Sequence, residues 1–195
     1  IALIVAVLAL LDALYHFGAL GIIPNAERCA LLATLYLFVV LISIIAGRII
    51  PSFTGNWLRS RGATRLPASM PWVERVVLPA TGLTGVLALA LPDHRLTGLA
   101  AAGSAVLHTL RLYRWRGLST VSEPLVFILH VGYAWLPAGF TLLSASILGG
   151  TIPATSATHA FGVGAIGVMI LAVTTRVALG HTGRPLRASL VIVIA

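Results

Sequence analysis

The stretch CALLATLYLFVVLISIIAGRII, residues 29–50, decides the fold of this chain. It has 22 residues and a single charged side chain, Arg48. A helix needs about 20 consecutive apolar residues to cross the hydrocarbon core of a bilayer, so this stretch predicts a transmembrane helix. The whole sequence has the same character, because 58% of its 195 residues are hydrophobic and only 9% are charged. Soluble domains carry about 25% charged residues, which excludes a water-soluble globule.

Further apolar segments lie on both sides of this stretch, separated by short connections. They cover residues 1–23, 72–91, 96–112, 124–148 and 159–179, and another begins near Leu186. Each complete segment is near the length of a membrane span, and 96–112 is marginal. We therefore predict an all-α fold, a polytopic transmembrane helix bundle of about six to seven spans. It forms one domain over residues 1–195, with a cytoplasmic connection at about 51–71.

The basic residues predict the orientation of the bundle. All 13 are arginines. The connections on one side hold Arg28 and Arg95. The other side holds Arg48, Arg59, Arg61, Arg65, Arg75, Arg111, Arg114, Arg116, Arg176, Arg184 and Arg187. Because cytoplasmic loops carry the excess of basic residues, we expect the arginine-rich side and the present N-terminus in the cytoplasm. The arginines form no stripe interleaved with aromatic residues, so nucleic-acid binding is not expected.

The six histidines fall into two layers in this orientation. The outer layer holds His16, His94 and His159, and the inner layer holds His108, His130 and His181. An imidazole within a membrane is costly unless it has a partner, and haem iron and copper both bind neutral imidazole. One interpretation is that these histidines ligate a metal or a haem between facing helices. The other is that each histidine forms a hydrogen bond that packs two helices together.

Two local patterns bear on this choice. Asp12 and His16 are four residues apart and share a helix face, so the carboxylate is placed to orient a ligating imidazole. A self-satisfied polar pair or a proton relay explains the same spacing. Near the inner interface, Arg111 and Arg176 have the length and charge to pair with haem propionates, but arginines at this depth also extend to the headgroups without binding a cofactor.

Glycines give the segment 159–179 a small helix cross-section, because they have no side chain. Gly162, Gly164 and Gly167 let either another helix or a flat macrocycle approach the backbone closely. No predicted strand precedes these glycines, which excludes a nucleotide-binding fingerprint.

Several motifs strongly resemble those of the NnrS family. HAFGVGAIGVM at 159–169 is followed by AVTTR at 172–176 and GHTGR at 180–184. Upstream matches are GRIIPSFT at 47–54, NWL at 56–58, RWRGL at 114–118, EPL at 123–125 and LHVGYAWLP at 129–137. The resemblance covers about residues 40 to 187.

NnrS proteins are polytopic proteins of the bacterial inner membrane that bind haem and copper and act in the nitric oxide response. The resemblance therefore implies haem b and copper as cofactors, nitric oxide as a small ligand, and the lipid bilayer as the surroundings. The candidate cofactor-binding residues inside matching motifs are His130, His159 and His181. Those added on depth and context are His16, His108 and Arg176. The candidate metal ligands are His16 and His159.

Family members are roughly twice as long, with about twelve spans, so this chain resembles their second half. The chain also begins and ends within apolar runs, which suggests a piece of a longer polypeptide. Its expected partner is then the other half of that polypeptide or another membrane subunit. Two hypotheses remain. The chain is a haem- and copper-binding protein that handles nitric oxide or electrons, or it is an accessory or scaffold subunit within a larger respiratory or photosynthetic complex. The sequence makes no prediction about enzymatic turnover.

Overall fold

The computed structural model describes residues 2–182, which form six long helices. They are α1 (Ala2–Ala19), α2 (Ala26–Ser60), α3 (Pro71–Ala90), α4 (Arg95–Arg114), α5 (Pro124–Gly149) and α6 (Ala154–His181). A short 3-10 turn, Gly117–Thr120, lies between α4 and α5. No strand occurs among these residues, so the predicted all-α fold is confirmed. The segment predicted to begin near Leu186 lies outside the described residues, as do Arg184 and Arg187.

The helices have the dimensions of membrane spans. Five of the six described helices, all except α4, are long and apolar enough to cross a bilayer. α4 has 20 residues, which corresponds to about 30 Å of helix, the thickness of the hydrocarbon core. It packs against both α3 and α5 and buries several polar side chains. The described part of the chain therefore has the architecture of a multi-pass membrane protein.

The end of α2 differs from the prediction. The sequence pattern ended this span at Ile50 and began the connection at Pro51, but the helix continues to Ser60 and the connection covers residues 61–70. A proline inside a helix removes a backbone hydrogen bond, a loss that membrane helices tolerate where neighbouring groups compensate. Thr54 and Leu58 are buried against the bundle. Packing of this extension therefore outweighs the local helix-ending signal of the proline.

α5 lies at the centre of the bundle and contacts α2, α4 and α6. Its inward face carries the fully buried residues Leu129, Tyr133, Leu136 and Phe140, whose spacing of three or four residues defines one side of a helix. α1, in contrast, has no buried residue and packs against α2. Its uncovered apolar side chains suit contact with lipid, because only internally hydrogen-bonded helices with apolar surfaces are stable within the hydrocarbon.

The glycines of α6 permit close packing against α5. The segment Ala160–Gly167 is π-helical, a local widening that is rare in proteins. A Cβ atom added at Gly164 would lie 2.5 Å from the ring of Trp135, and one added at Gly139 would lie 2.5 Å from the ring of Phe161. The close approach predicted at Gly164 is therefore made by another helix.

Candidate functional site

A cavity of about 840 Å³ lies at the arginine-rich end of the bundle. It is bounded by α4, α5, the connection 61–70 and the 3-10 turn. The apolar lining includes Leu66, Leu112, Phe127, Val131 and Ala134. The charged lining consists of Arg65, Arg114 and Arg116, and the described lining contains no carboxylate. Small-molecule sites in proteins have volumes of roughly 300–1,000 Å³ and mostly apolar walls, so the cavity has the size and character of a ligand site.

His130 lines this cavity and is only 4% exposed. Its Nε2 atom lies 2.8 Å from Oγ1 of Thr54 on α2. Its Nδ1 atom is buried and has no hydrogen-bond partner among residues 2–182. Buried polar atoms are nearly always paired, so an orphaned one requires an explanation. Metal-ligating histidines have one ring nitrogen held by a hydrogen bond and the other available to the metal, and the hydrogen bonds of His130 match this arrangement.

Gly117 makes the closest approach to His130. A Cβ atom added at this glycine would lie 2.7 Å from both Cγ and Nδ1 of the histidine, which is closer than any side chain can come. The tight packing fixes one face of the imidazole against the 3-10 turn. Position 117 therefore requires glycine for steric reasons.

Arg116 turns the chain at the edge of the cavity. Its φ of 59° and ψ of 41° place it in the left-handed region, which glycine occupies far more readily than arginine. Strain of this kind costs about 1–3 kcal/mol and is concentrated at functional sites. The Nε atom of Arg116 is buried without a hydrogen-bond partner among the described residues. Two residues that line the cavity, on neighbouring elements, thus each carry a buried polar atom without a hydrogen-bond partner among the described residues.

His108 is in a different situation, although it lies in the same predicted layer. Its Nε2 atom is 2.9 Å from Oγ1 of Thr81, and its Nδ1 atom is 2.7 Å from the hydroxyl of Tyr133. Its ring stacks on Phe140 with the ring centroids 5.4 Å apart. Both nitrogens therefore already have protein partners. These contacts support the packing interpretation for this histidine.

Arg111 lies one turn beyond His108 and joins the same polar network. Its Nη2 atom donates to Oε2 of Glu74 at 2.6 Å, and its Nη1 atom donates to the carbonyl oxygen of Ser43 at 2.7 Å. Nη1 also donates to the hydroxyl of Tyr133 at 3.2 Å. The network therefore connects α2, α3, α4 and α5. Among the described residues, Arg111 therefore uses its guanidinium in an ion pair with Glu74 inside the bundle.

The outer histidines are exposed and lie on different helices. His16 on α1 is 3.8 Å from the carboxylate of Asp12, as their spacing predicts. The Nδ1 atom of His159 on α6 is 2.8 Å from the carbonyl oxygen of Thr155. Between residues 2 and 182, no three His, Cys, Asp or Glu side chains are grouped so that they could hold a metal ion. The structure therefore does not bring His16 and His159 together with a third ligand.

The remaining predicted residues have ordinary contacts. His94 caps α4, where its Nδ1 atom accepts a hydrogen bond of 3.2 Å from the backbone of Leu96. His181 is the exposed last residue of α6. The guanidinium of Arg176 lies 4.1 Å from the centre of the Phe53 ring, a cation–π contact with the extended part of α2. None of these three residues lines the cavity.

Three residues around His130 were not predicted from the sequence. They are Thr54, Arg116 and Gly117. The motif RWRGL at 114–118 contained a signal, since two arginines and a glycine follow a span directly. Nothing in the sequence indicated that this turn folds back onto a histidine of the next span.

The chain is therefore an integral membrane protein with a candidate ligand site between its helices. The site is an arginine-lined cavity that contains a buried histidine. The family model described as NnrS protein matches the chain over residues 1–195. The chain therefore belongs to the NnrS family, and the resemblance found in its motifs is confirmed. Searches of curated proteins and of solved structures gave no match.

Proposed function

We propose that this chain binds haem in the arginine-lined cavity through His130 and acts in the bacterial nitric oxide response. The observation that carries the proposal is the orphaned Nδ1 atom of a buried histidine in that cavity. Membership of the NnrS family supports the role in the nitric oxide response. The proposed location is the bacterial inner membrane, with the arginine-rich end in the cytoplasm.

The residues of the cavity fit this cofactor. A haem is a flat apolar macrocycle with carboxylates along one edge, and the cavity combines apolar walls with three arginines. Haem iron binds neutral imidazole, so His130 is the residue that would hold it. In the tautomer in which Nε2 of His130 donates to Oγ1 of Thr54, the Nδ1 atom keeps the lone pair that a metal needs.

A haem bound here would supply one-electron chemistry and could bind a small gas such as nitric oxide. The protein residues set the conditions for that chemistry. Thr54 holds the imidazole in one orientation, and Gly117 gives the ring room against the 3-10 turn. Apolar side chains form much of the wall, and the arginines place positive charge at its edge.

Copper does not fit the described residues equally well. The predicted metal ligands His16 and His159 have separate partners and lack a third ligand nearby. We therefore derive no copper chemistry from them. The prediction that they bind copper is tested by counting this metal in the same preparation as iron and repeating the count after His16→Ala and His159→Ala.

The proposal is tested by a reduced-minus-oxidised visible spectrum of the purified full chain, with iron counted on the same sample. We expect a sharp Soret band with stoichiometric iron, which His130→Ala abolishes or shifts. His94→Ala is the matched control and should leave the spectrum unchanged, because His94 is a helix cap outside the cavity. A wild-type spectrum without a haem band would overturn the proposal and favour the accessory-subunit hypothesis.

A further inference from the structure

The edge of the cavity has positive charge without a matching negative charge. Arg65, Arg114 and Arg116 line it, and the described lining includes no acid. The carboxylate of Glu74 does not supply a matching negative charge, because it forms an ion pair with Arg111. A cleft lined by charge of one sign attracts a ligand of the opposite sign. The cavity therefore favours an anionic group.

The three arginines come from two segments that are fastened together. The backbone N–H of Ala68 donates a hydrogen bond of 3.2 Å to the carbonyl oxygen of Arg114. This bond ties the connection 61–70 to the end of α4. Arg116 follows at once and adjoins Gly117, which packs on His130. The basic edge and the orphaned histidine nitrogen thus belong to one continuous site.

The backbone conformation of Arg116 does not explain why this residue is an arginine. Glycine would adopt a φ of 59° without strain, so the turn itself does not need an arginine. The side chain therefore requires its own explanation. Its buried Nε atom has no hydrogen-bond partner between residues 2 and 182, and the residue lines a ligand-sized cavity. A guanidinium in this position is suited to bind a carboxylate by charge-assisted hydrogen bonds.

We propose that Arg116 is the anion-binding residue of this cavity and that, with Arg65 and Arg114, it binds the carboxylates of the ligand. This inference rests on the proposed haem site, and the carboxylates are then the haem propionates. Arg116 is a binding residue: it would hold the carboxylate edge of the macrocycle next to His130.

The test compares haem with its dimethyl ester, in which both carboxylates are blocked. The full chain is prepared without haem in discs of neutral lipid and titrated with each compound. We expect Arg116→Gln to bind haem about tenfold more weakly or worse, and to bind the ester as wild type does. Arg75→Gln is the matched control, because Arg75 is exposed at the same end and does not line the cavity. It should change neither affinity.

A second variant separates ligand binding from folding. Arg116→Gly removes the guanidinium and relieves the left-handed strain. We expect its thermal unfolding midpoint without haem to equal or exceed that of wild type, while its haem affinity falls as in Arg116→Gln. A purely structural role for Arg116 predicts the opposite, a lower midpoint with equal losses for haem and ester, and would overturn the inference.

The remaining outcomes are also decisive. Wild-type haem affinity in Arg116→Gln, with the band still lost in His130→Ala, would overturn this inference alone. Failure of wild type to bind either compound would overturn the proposed function and this inference with it. If Arg116→Gln binds haem as wild type does in neutral discs but loses the binding of anionic phospholipid that wild type shows, the residue binds a lipid phosphate, and the assignment to the haem carboxylates is wrong.

Discussion

The properties of His130 depend on residues that are distant in the sequence. The sequence placed this histidine among several candidates, and only its position inside a family motif separated it from His108, which lies at similar depth. The distinction is structural, since His108 has partners on both ring nitrogens and His130 on only one. The partner of His130, Thr54, is 76 positions away. No local periodicity connects such residues, so only the folded chain reveals which imidazole is free.

Gly117→Ala tests the packing around this imidazole. The added methyl group would overlap Cγ and Nδ1 of His130, so the ring must shift and weaken its hydrogen bond to Thr54. We expect a loss of about 1–3 kcal/mol in stability, as for other overpacked sites, and an altered haem spectrum. Thermal unfolding and visible spectroscopy in detergent measure both effects.

Gly103→Ala is the control for this substitution. Gly103 lies within α4, and nothing is within 4 Å of a Cβ atom added there. Because alanine is the better helix former, this variant should be as stable as wild type or slightly more stable. If Gly117→Ala behaves in the same way as Gly103→Ala, the proposed steric role of Gly117 is wrong.

At the scale of the helices, a buried ion pair holds α4 in the bundle. Arg111 is 5% exposed and Glu74 is 30% exposed, and the network also includes Ser43 and Tyr133. The sequence located these charged residues near span ends but gave no pairing between them. Their pairing depends on how α3 and α4 are arranged. It explains why the least apolar helix is stable between two others, because each buried polar group finds a partner.

Glu74→Gln is expected to destabilise the bundle by roughly 3 kcal/mol. This is the lower end of the cost of leaving a buried charge without its partner, chosen because Glu74 is partly exposed. The thermal unfolding midpoint measures the loss. The double variant Glu74→Gln with Arg111→Met should recover part of it, since no unpaired charge then remains. Arg75→Gln, on the same helix and exposed, should stay within about 0.5 kcal/mol of wild type. Equal midpoints for Glu74→Gln and Arg75→Gln would contradict this role of the ion pair.

The helices themselves were the most predictable feature. Their apolar runs are long, and each of the six complete segments corresponds to a described helix. The extension of α2 beyond Pro51 was not predictable, because it depends on the burial of Thr54 and Leu58 against other helices. Sequence patterns predict where a helix forms locally, whereas packing against other helices determines whether it extends further.

At the scale of the whole molecule, the distribution of arginines predicts that the cavity opens toward the cytoplasm. The chain offers a natural probe of this orientation. Cys29 is its single cysteine, is exposed, and lies in the first turn of α2 at the opposite end from the cavity. We expect a membrane-impermeant thiol reagent added outside intact spheroplasts to label it.

A matched variant completes this experiment. In Cys29→Ser with Ser119→Cys, the single cysteine moves to the exposed 3-10 turn beside the cavity. It should be labelled only after the membrane is permeabilised. The reverse pattern of labelling would contradict the proposed orientation, although it would leave the haem site untested.

The most direct test of the central claim, that His130 ligates haem in the cavity, is the rescue of His130→Gly by free imidazole. The glycine variant leaves space for an external ligand beside Thr54. We predict that the purified variant lacks the wild-type Soret band, that added imidazole restores it, and that dialysis removes it again. A wild-type spectrum without imidazole, or no recovery with imidazole in a variant whose unfolding midpoint is unchanged, would contradict the claim.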